Sequence, residues 1–541
     1  MKSLTIRLLI FALLAGGIYA FHESRQHREP RYVAAGRDKV LLLGNGTEVE
    51  TLDPHLANGH PEHMVITALM EGLTAPDAKN PDDSAPGAAA SWEHKDFTVW
   101  TFHLQSKGKW SDGTPVTAHD FAYAYQRILS PALAADYGQM LWPLVNAEAF
   151  NSGTLKDFSK VGVKVIDDLT LQLTLNGPAP YFPGMLKHYS WFPVPRHVIE
   201  KHGGMLFRDT QWFKPGTHVG NGAFKLKAWR FTHKLEIERN PCYWDAATVK
   251  LNGIEFLPIV SDSTEERAFQ DGQLHVTQVV PLSRVPFYKN DPRGFYHADP
   301  HLACYFYRVN TKRPPFDNKL VRRALALAID RESLTRNVLR AGQMPATALT
   351  PSNCSAGYVP PGVCVFNPGE ARRVLAEAGY PDGKGFPKFE ILINTLESHR
   401  SIAEAIQEMW KKHLNIPVSI LNQEWSVYLE SQRKYDYSVC RAGWVGDYAD
   451  PTTFLNLLRT TDGNNNTGWG SPRYDEMLTK SALVADPVQR FSMLKEAENL
   501  MLEEMPILPI YWYVHYYLRR PEVKNWAPSV MEHRCYKALD L

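Results

Sequence analysis

The chain has no CxxC pair, no HExxH, no GxSxG and no glycine-rich phosphate loop. These absences remove zinc knuckles, thioredoxin-type redox centres, zincins, serine hydrolases and P-loop nucleotide chemistry. Charge of one sign is also missing: 59 basic against 58 acidic residues leave a formal net charge of +1. No long-range field therefore draws the protein to nucleic acid or anionic lipid. The apolar run Leu8 to Ala20 is thirteen residues long, short of the ~20 that span a bilayer. Preceded by Lys2 and Arg7, it reads as a secretory signal peptide over residues 1–21, cut near Gly17 or Ala20, or as an uncleaved signal anchor. No cysteine follows it, which argues against a bacterial lipid anchor. Either reading puts the body of the protein outside the cytoplasm.

Cysteine is scarce, with six in 541 residues. Cys354 and Cys364 flank a Pro- and Gly-rich loop, and an oxidising compartment would suit a disulfide there, adding ~2–3 kcal/mol. Cys242, Cys304, Cys440 and Cys535 are scattered, mostly in apolar contexts where a buried inert thiol is expected.

What is present is bulk and aromatic surface. A chain of this length holds two or three domains. Its 44% hydrophobic and 22% charged content is that of a globular protein. The 38 prolines, 14 tryptophans and 24 tyrosines point to many loops and to aromatic-lined ligand surfaces. Residues 22–37 are polar and basic, as in a tether. Val40 to Leu43 reads as a strand turned by Asn45-Gly46, and Trp92 to Leu104 alternates as a strand. Thr117 opens a helix through Leu129. Lys164 to Leu175 reads as a hairpin turning at Asp167-Asp168, and Phe224 to Arg239 as two strands. Beyond residue 300 strands and helices alternate: a strand at Tyr305–Asn310, a helix at 318–329, and a helix capped by Asn367-Pro368 and ended at Gly379. A strand at Phe389–Asn394 follows, then a helix with Ser401 and Glu404 at capping-box spacing, and a strand at Ile416–Leu421. This alternation predicts an α/β region. His60 and His63 have helix-turn spacing, with no evident third metal ligand.

The segment Arg441-Ala-Gly-Trp-Val-Gly-Asp447 sets a cation, a glycine, a tryptophan and a carboxylate within seven residues. Tyr437 to Val445 reads as a strand, and Asp450-Pro451 as the start of a helix, so Asp447 falls in the turn between them. On a regular strand the six steps from Arg441 to Asp447 cover roughly 20 Å, at ~3.3 Å per residue. That is the length of a short extended peptide with an ammonium at one end and a carboxylate at the other. The same residues also fit a plain turn aspartate and an ion-paired arginine, and spacing alone leaves both readings open.

Asn422-Gln-Glu-Trp425, Arg441-Ala-Gly-Trp444 and Asp447-Tyr448 closely resemble the periplasmic oligopeptide-binding proteins of ABC transporters, in solute-binding protein family 5. The likeness continues through Asn45–His55, Trp100–Leu104, Lys109–Ala118, Arg239–Asp245, Leu375–Pro381 and Asn394–His399. The resemblance implies an α/β, periplasmic binding protein-like type II fold of two lobes with a two-segment hinge. Lobe one would be residues 38–302, with an inserted subdomain at 73–197 and a C-terminal return at 514–541. Lobe two would be 303–513. It implies capture of short peptides between closing lobes and delivery to a membrane-embedded ABC permease, by a monomeric periplasmic protein without catalysis, cofactor or nucleic acid. Asp447 would bind the peptide ammonium, and Arg441 or His399 its carboxylate. Trp425 and Trp444 would line side-chain pockets, Gly443 would lend backbone hydrogen bonds, and Tyr137 and Asn465 would line the ligand. His399, near a helix start where N–H groups favour anions, also reads as an exposed loop histidine. Alternatives within the same fold are a metal chelate, haem, a cell-wall peptide or a signalling peptide. The chain departs from the family pattern at Gln278-Val279 and at Gln432, where some members carry arginine. It also departs at Val445 and Ala303, where some members carry a pair of cysteines.

Overall fold

The computed structural model describes residues 29–541 apart from Asn58 and Ala356, without the side chains of Glu397, Trp425 and Ser426. The signal segment and the first part of the expected tether lie outside the described residues. The rest of that tether is not free. Arg31–Arg37 forms helix α1, Arg31 pairs with Glu255, the Tyr32 amide donates to Gly272 at 2.9 Å, and Arg520 lies 3.8 Å over the Tyr32 ring. One aromatic side chain anchors what composition alone reads as a leash.

The first half of the chain builds two four-stranded sheets on one core. β1 (Val40–Gly44) is followed by α2 (His60–Leu69), then β2 (Ala89–Lys95) and β3 (Val99–Leu104). The expected single strand at 92–104 is thus a hairpin, broken by Asp96 and Phe97 at φ 53° and 55°. Two successive positive φ values make the tight turn that reverses the chain there. α3 (Ala118–Leu129) carries a capping box from Thr117 and Asp120. β4 (Val163–Asp167) and β5 (Thr170–Thr174) form the expected hairpin, which joins β3 in the order β2-β3-β5-β4. β6 (Phe224–Arg230), β7 (Lys234–Arg239) and β8 (Gly253–Leu257) complete the other sheet in the order β1-β8-β7-β6. Trp100, Trp110, Trp191 and Trp212 are almost fully buried between them. Removing such large apolar surfaces from water is the main force holding this body together.

The second half is one six-stranded sheet. β9 (Tyr296–Val309) enters it, followed by α4 (Lys319–Leu327), β10 (Met344–Pro345), α5 (Pro368–Glu377), β11 (Phe389–Asn394), α6 (Glu397–Leu414) and β12 (Val418–Gln423). Then come α7 (Trp425–Arg433), β13 (Val439–Val445), α8 (Thr452–Leu455), α9 (Pro472–Ser481), α10 (Pro487–Glu504) and β14 (Ile507–Leu518). The order is β10-β14-β9-β13-β11-β12. Along β9 the residues alternate between two cores. Tyr305, Tyr307 and Val309 join one, while Leu302, Cys304 and Phe306 join the other. The sheet is buried on both faces, which is why its strands read as apolar runs.

Two local expectations fail here. α6 begins at Glu397, four residues before the expected capping box, and Glu404 instead faces Arg400 at 3.7 Å. Cys354 and Cys364 are both free and buried, as are three of the other four cysteines. Their loop is fastened to buried Glu498, which accepts from the Thr350 amide at 2.8 Å and from the Tyr358 hydroxyl.

β9 and β14 pair along almost their whole length, from Tyr296↔Leu518 to Arg308↔Ile507. One end of the pair packs with Phe269 and Tyr288, the other in the second-half cores. These two strands carry the chain between the bodies. Their register breaks between Pro300 and Cys304, a bulge at the crossing point that bends the ribbon. Among the described residues no helix is long and apolar enough to cross a membrane.

Candidate ligand-binding site

β13 is paired unequally. Against β9 it is matched throughout, from Val439↔Val309 to Val445↔Ala303. Against β11 it is matched only at Val439 and Cys440. Residues 441–445 therefore present one unpaired edge. The direction of the backbone groups follows from two contacts. The Gly446 amide donates to the Leu302 carbonyl at 2.7 Å, on the β9 side, and the Arg441 carbonyl accepts from the Tyr428 hydroxyl on the opposite side. Strand alternation then points the N–H and C=O of Gly443 and Val445 out of the open edge. Gly443 also keeps the edge narrow. A Cβ there would stand 3.2 Å from the Tyr513 hydroxyl and 3.6 Å from Arg441 Nη2.

The cation end is built on this strand. Arg441 donates from Nη2 to the Tyr513 hydroxyl at 3.2 Å and from Nη1 to Asn394 Oδ1 at 3.4 Å. Its guanidinium lies 5.1 Å over the Tyr305 ring. It forms no ion pair among the described residues, and its Nε–H has no partner there. A half-buried guanidinium held by phenols and an amide keeps its full charge for an anion. His399, third residue of α6, is 5% exposed, so the exposed-loop reading fails. Its Nδ1 is 3.4 Å from the Tyr305 hydroxyl. Burial, then the Arg441 charge, pushes its pKa down to about 2. His399 is a neutral hydrogen-bonding group beside the cation, not a second cation.

The anion end is a turn. The Asp447 amide donates to Thr453 Oγ1 at 2.9 Å, and that hydroxyl lies 3.4 Å from Asp447 Oδ2. No cation pairs with Asp447 among the described residues. Burial pushes its carboxyl up to about 7, against the Thr453 hydrogen bond and with help from the Asp462 charge. Tyr137 and Tyr189, in the first body, lie near enough to feel its charge. Burial raises both phenols, and the Asp447 charge raises them further. Three residues on, Asp450 has the opposite fate. It takes both Nη1 and Nη2 of Arg490, at 2.6 and 2.8 Å, and is 2% exposed. It also accepts from the Thr452 amide at 3.0 Å, while Pro451 occupies the N-cap of the four-residue α8. The expected Asp450 cap thus sits one position early, and its carboxylate mainly serves the ion pair.

Contacts between the bodies lie beside this turn. Tyr181 stacks on Tyr448 at 5.6 Å and 9°, and Arg490 lies 5.0 Å over the Tyr181 ring. The backbones nearly touch at Gly177, where a Cβ would stand 2.3 Å from the Ala482 carbonyl.

The other expected residues divide. Trp444 is half-buried against the second core of the sheet, with its indole N–H unpartnered among the described residues. Trp425 begins α7, and its side chain lies outside the described residues. Asn465 does not present itself to a ligand. Its Nδ2 donates to the carbonyls of Leu458, Arg459 and Trp469 at 3.4, 3.0 and 2.9 Å, and its Oδ1 accepts from Thr467 Oγ1 at 2.7 Å. It fastens its own loop. Gln432 is buried on Arg308, and the Gln278 and Val279 amides both donate to Glu265. Sequence reasoning missed Tyr189, Tyr305, Tyr448 and Tyr513 as parts of the site. The runs Tyr305-Phe-Tyr307 and Tyr511-Trp-Tyr513 carry the signal, since aromatics alternating on one strand face form a wall. Among the described residues no cluster of His, Cys, Asp or Glu is arranged to hold a metal.

A family model of bacterial extracellular solute-binding proteins, family 5, matches residues 84–466. The periplasmic oligopeptide-binding protein OppA of Salmonella typhimurium is 36% identical over 535 residues, covering 97% of each chain. Among solved structures, the Escherichia coli murein tripeptide-binding protein MppA superposes with a TM-score of 0.85 at 34% identity, covering 93% of this chain and 98% of that one. Haemophilus influenzae OppA in complex with RPPGFSPFR gives 0.84 at 35% identity, covering 93% and 99%. Against MppA in its unliganded open form the score is 0.72, at 33% identity and covering 93% and 97%. The bodies therefore stand closer to the arrangement of the peptide complex than to that of the open form.

Proposed function

The chain belongs to the bacterial extracellular solute-binding proteins of family 5, and on that premise we propose that it captures short peptides between its two lobes. It then delivers them to an ABC-transporter permease from the extracytoplasmic side, in the periplasm. The lobes of this reading are residues 38–302 with 514–541, and 303–513, joined by β9 and β14. The observation that carries it is a half-buried carboxylate without a cation and a half-buried guanidinium without an anion among the described residues, joined by an open strand edge. Asp447 takes the ammonium, Arg441 takes the carboxylate, and Gly443 and Val445 pair with the peptide main chain. Main-chain pairing gives affinity for any sequence, as in strand addition, and water in the side-chain spaces tolerates varied residues. Tyr137 and Trp444 flank this path, and His399 supports the carboxylate end as a neutral partner. The names of the relatives, OppA and MppA, state peptide ligands, which supports the same reading.

Closure works by rigid movement of the lobes about β9 and β14. Tyr181 then meets Tyr448 next to Asp447, so engagement of the ammonium and closure occur in one place. The test is capture: purified monomer, confirmed by light scattering, is incubated with a peptide mixture, washed, unfolded, and its released ligands weighed. Peptides with free amino termini are expected. Recovery of metal or haem with no peptides would sink the reading.

A further inference from the structure

Between the two charged ends, three histidines meet one carboxylate and three more histidines adjoin them, drawn from five parts of the chain. Glu532, on the C-terminal return, is 4% exposed. Its Oε2 is 2.5 Å from Nε2 of His60, the first residue of α2. Its Oε1 is 3.4 Å from Nδ1 of His515 on β14 and 3.5 Å from Nδ1 of His301 in the β9 bulge. The His63 ring lies 6.3 Å from His60, 5.7 Å from His533 and 5.8 Å from Tyr189. The His188 ring lies 5.0 Å from Tyr137, and the His301 ring 6.2 Å from Tyr513. Two groups of rings, one reaching the tyrosines beside Asp447 and the other the tyrosine that receives Arg441, thus meet through the Glu532 carboxylate. The cluster underlies the middle of the peptide path.

The charges in this cluster are unequally accessible. Arg534 is buried and donates to the His533 carbonyl at 2.9 Å. Lys187 is buried on the carbonyls of Pro81, Asp82 and Asp83. Glu62, on α2, accepts from the Glu50 amide at 2.7 Å. The side chains of His301 and His515 are each 12% exposed, whereas that of His60 is 36% exposed. Burial works against a charge on His60, but the adjacent Glu532 raises its pKa above the ordinary value. Burial keeps His301 at about 4 and His63 at about 3, so both are neutral. The ionisable group that reaches solvent from this cluster as a cation is therefore His60.

We propose that His60, held as an imidazolium by Glu532, is a specificity-determining residue that selects peptides with an acidic side chain. With Nε2 turned to Glu532, the Nδ1–H is left to donate to a carboxylate, a charge-assisted bond that an amide in the same place makes more weakly. This rests on the peptide-binding reading. Raising the pH through the His60 titration removes the Nδ1–H charge and with it the preference.

The test uses alanine peptides of three to five residues with one Glu, or one Gln, at each position in turn. Calorimetry on the full protein at about pH 6 is expected to find one position where Glu binds about 10-fold more tightly than Gln. That ratio should shrink at about pH 8.5 and vanish in His60→Asn, while all-alanine peptides keep their affinity. Glu532→Gln should pull the loss of preference to lower pH. Should that buried change prevent folding, His60→Asn, at a half-exposed position, decides alone. A Glu preference at no position, or one that survives His60→Asn, overturns the proposal while peptide binding stands. Absence of binding by every peptide in the series would overturn both.

Discussion

The two ends of the cleft solve opposite problems. Arg441 sits on a strand paired to β9 along its length, under a tyrosine ring and between two hydrogen-bond acceptors. Asp447 sits in a turn, tied by one threonine and lifted to about 7. The guanidinium is fixed and stays charged whether or not an anion arrives. The carboxylate is strained by burial and is relieved only by a cation. The ammonium end should therefore dominate affinity, and the carboxylate end should register peptide length.

The largest effect to break this comparison is Asp447→Ala. It leaves a buried ammonium unpaired and should cost ~3–5 kcal/mol of binding by calorimetry. N-acetylation of the peptide should do the same, and equal affinity for free and acetylated peptides would remove the clamp.

Next comes pH. Ammonium binding needs the carboxylate, so affinity should fall about 100-fold from pH 8 to pH 5, with the change beginning near 7. The ligand-free protein should behave with the opposite sign. A carboxyl raised from 3.8 to about 7 gives stability that is full below 3.8 and lost as pH rises through 7. Asp447→Asn should thus raise the melting temperature at pH 8 and leave it unchanged at pH 3, a trade of stability for function.

Arg441→Ala should cost ~1.5–3 kcal/mol, but only for peptides whose carboxylate reaches it. Identical losses across a length series, or with amidated peptides, would erase the contrast between the ends. The smallest effect is Tyr181→Ala, which removes the stack on Tyr448 and should weaken binding by ~0.5–1.5 kcal/mol. Stopped-flow fluorescence should show it in the dissociation rate, with small-angle scattering reporting poorer compaction on peptide addition.

Much of the framework was legible because it rests on local rules. The hairpin at 163–174, the capping of α3, the Asn367-Pro368 start of α5 and the strand at Val439–Val445 follow from turn chemistry, caps and alternation. The failures were places where a tertiary contact outweighed a local signal. Tyr32 docked a polar segment and Glu498 fastened the loop between two free cysteines, whereas the early start of α6 gave Glu404 a partner within its own helix, Arg400. The site was half legible. Arg441, Gly443 and Asp447 stood out by type and spacing, whereas Asn465 looked like a ligand group and turned out to hold its loop. The tyrosines and the Glu532 histidine cluster come from segments hundreds of residues apart, and no local pattern joins them.

By itself the sequence determined an α/β plan and a zwitterion-sized spacing of charges, because those depend on neighbours along the chain. Only the tertiary structure decided which of two aspartates in one turn remains unpaired. Asp450 meets Arg490 across the fold and is spent there. Asp447, three residues earlier, is half-buried without a cation among the described residues. Whether a charge is neutralised depends on what the fold brings within a few ångströms, and at that range distance along the chain counts for nothing.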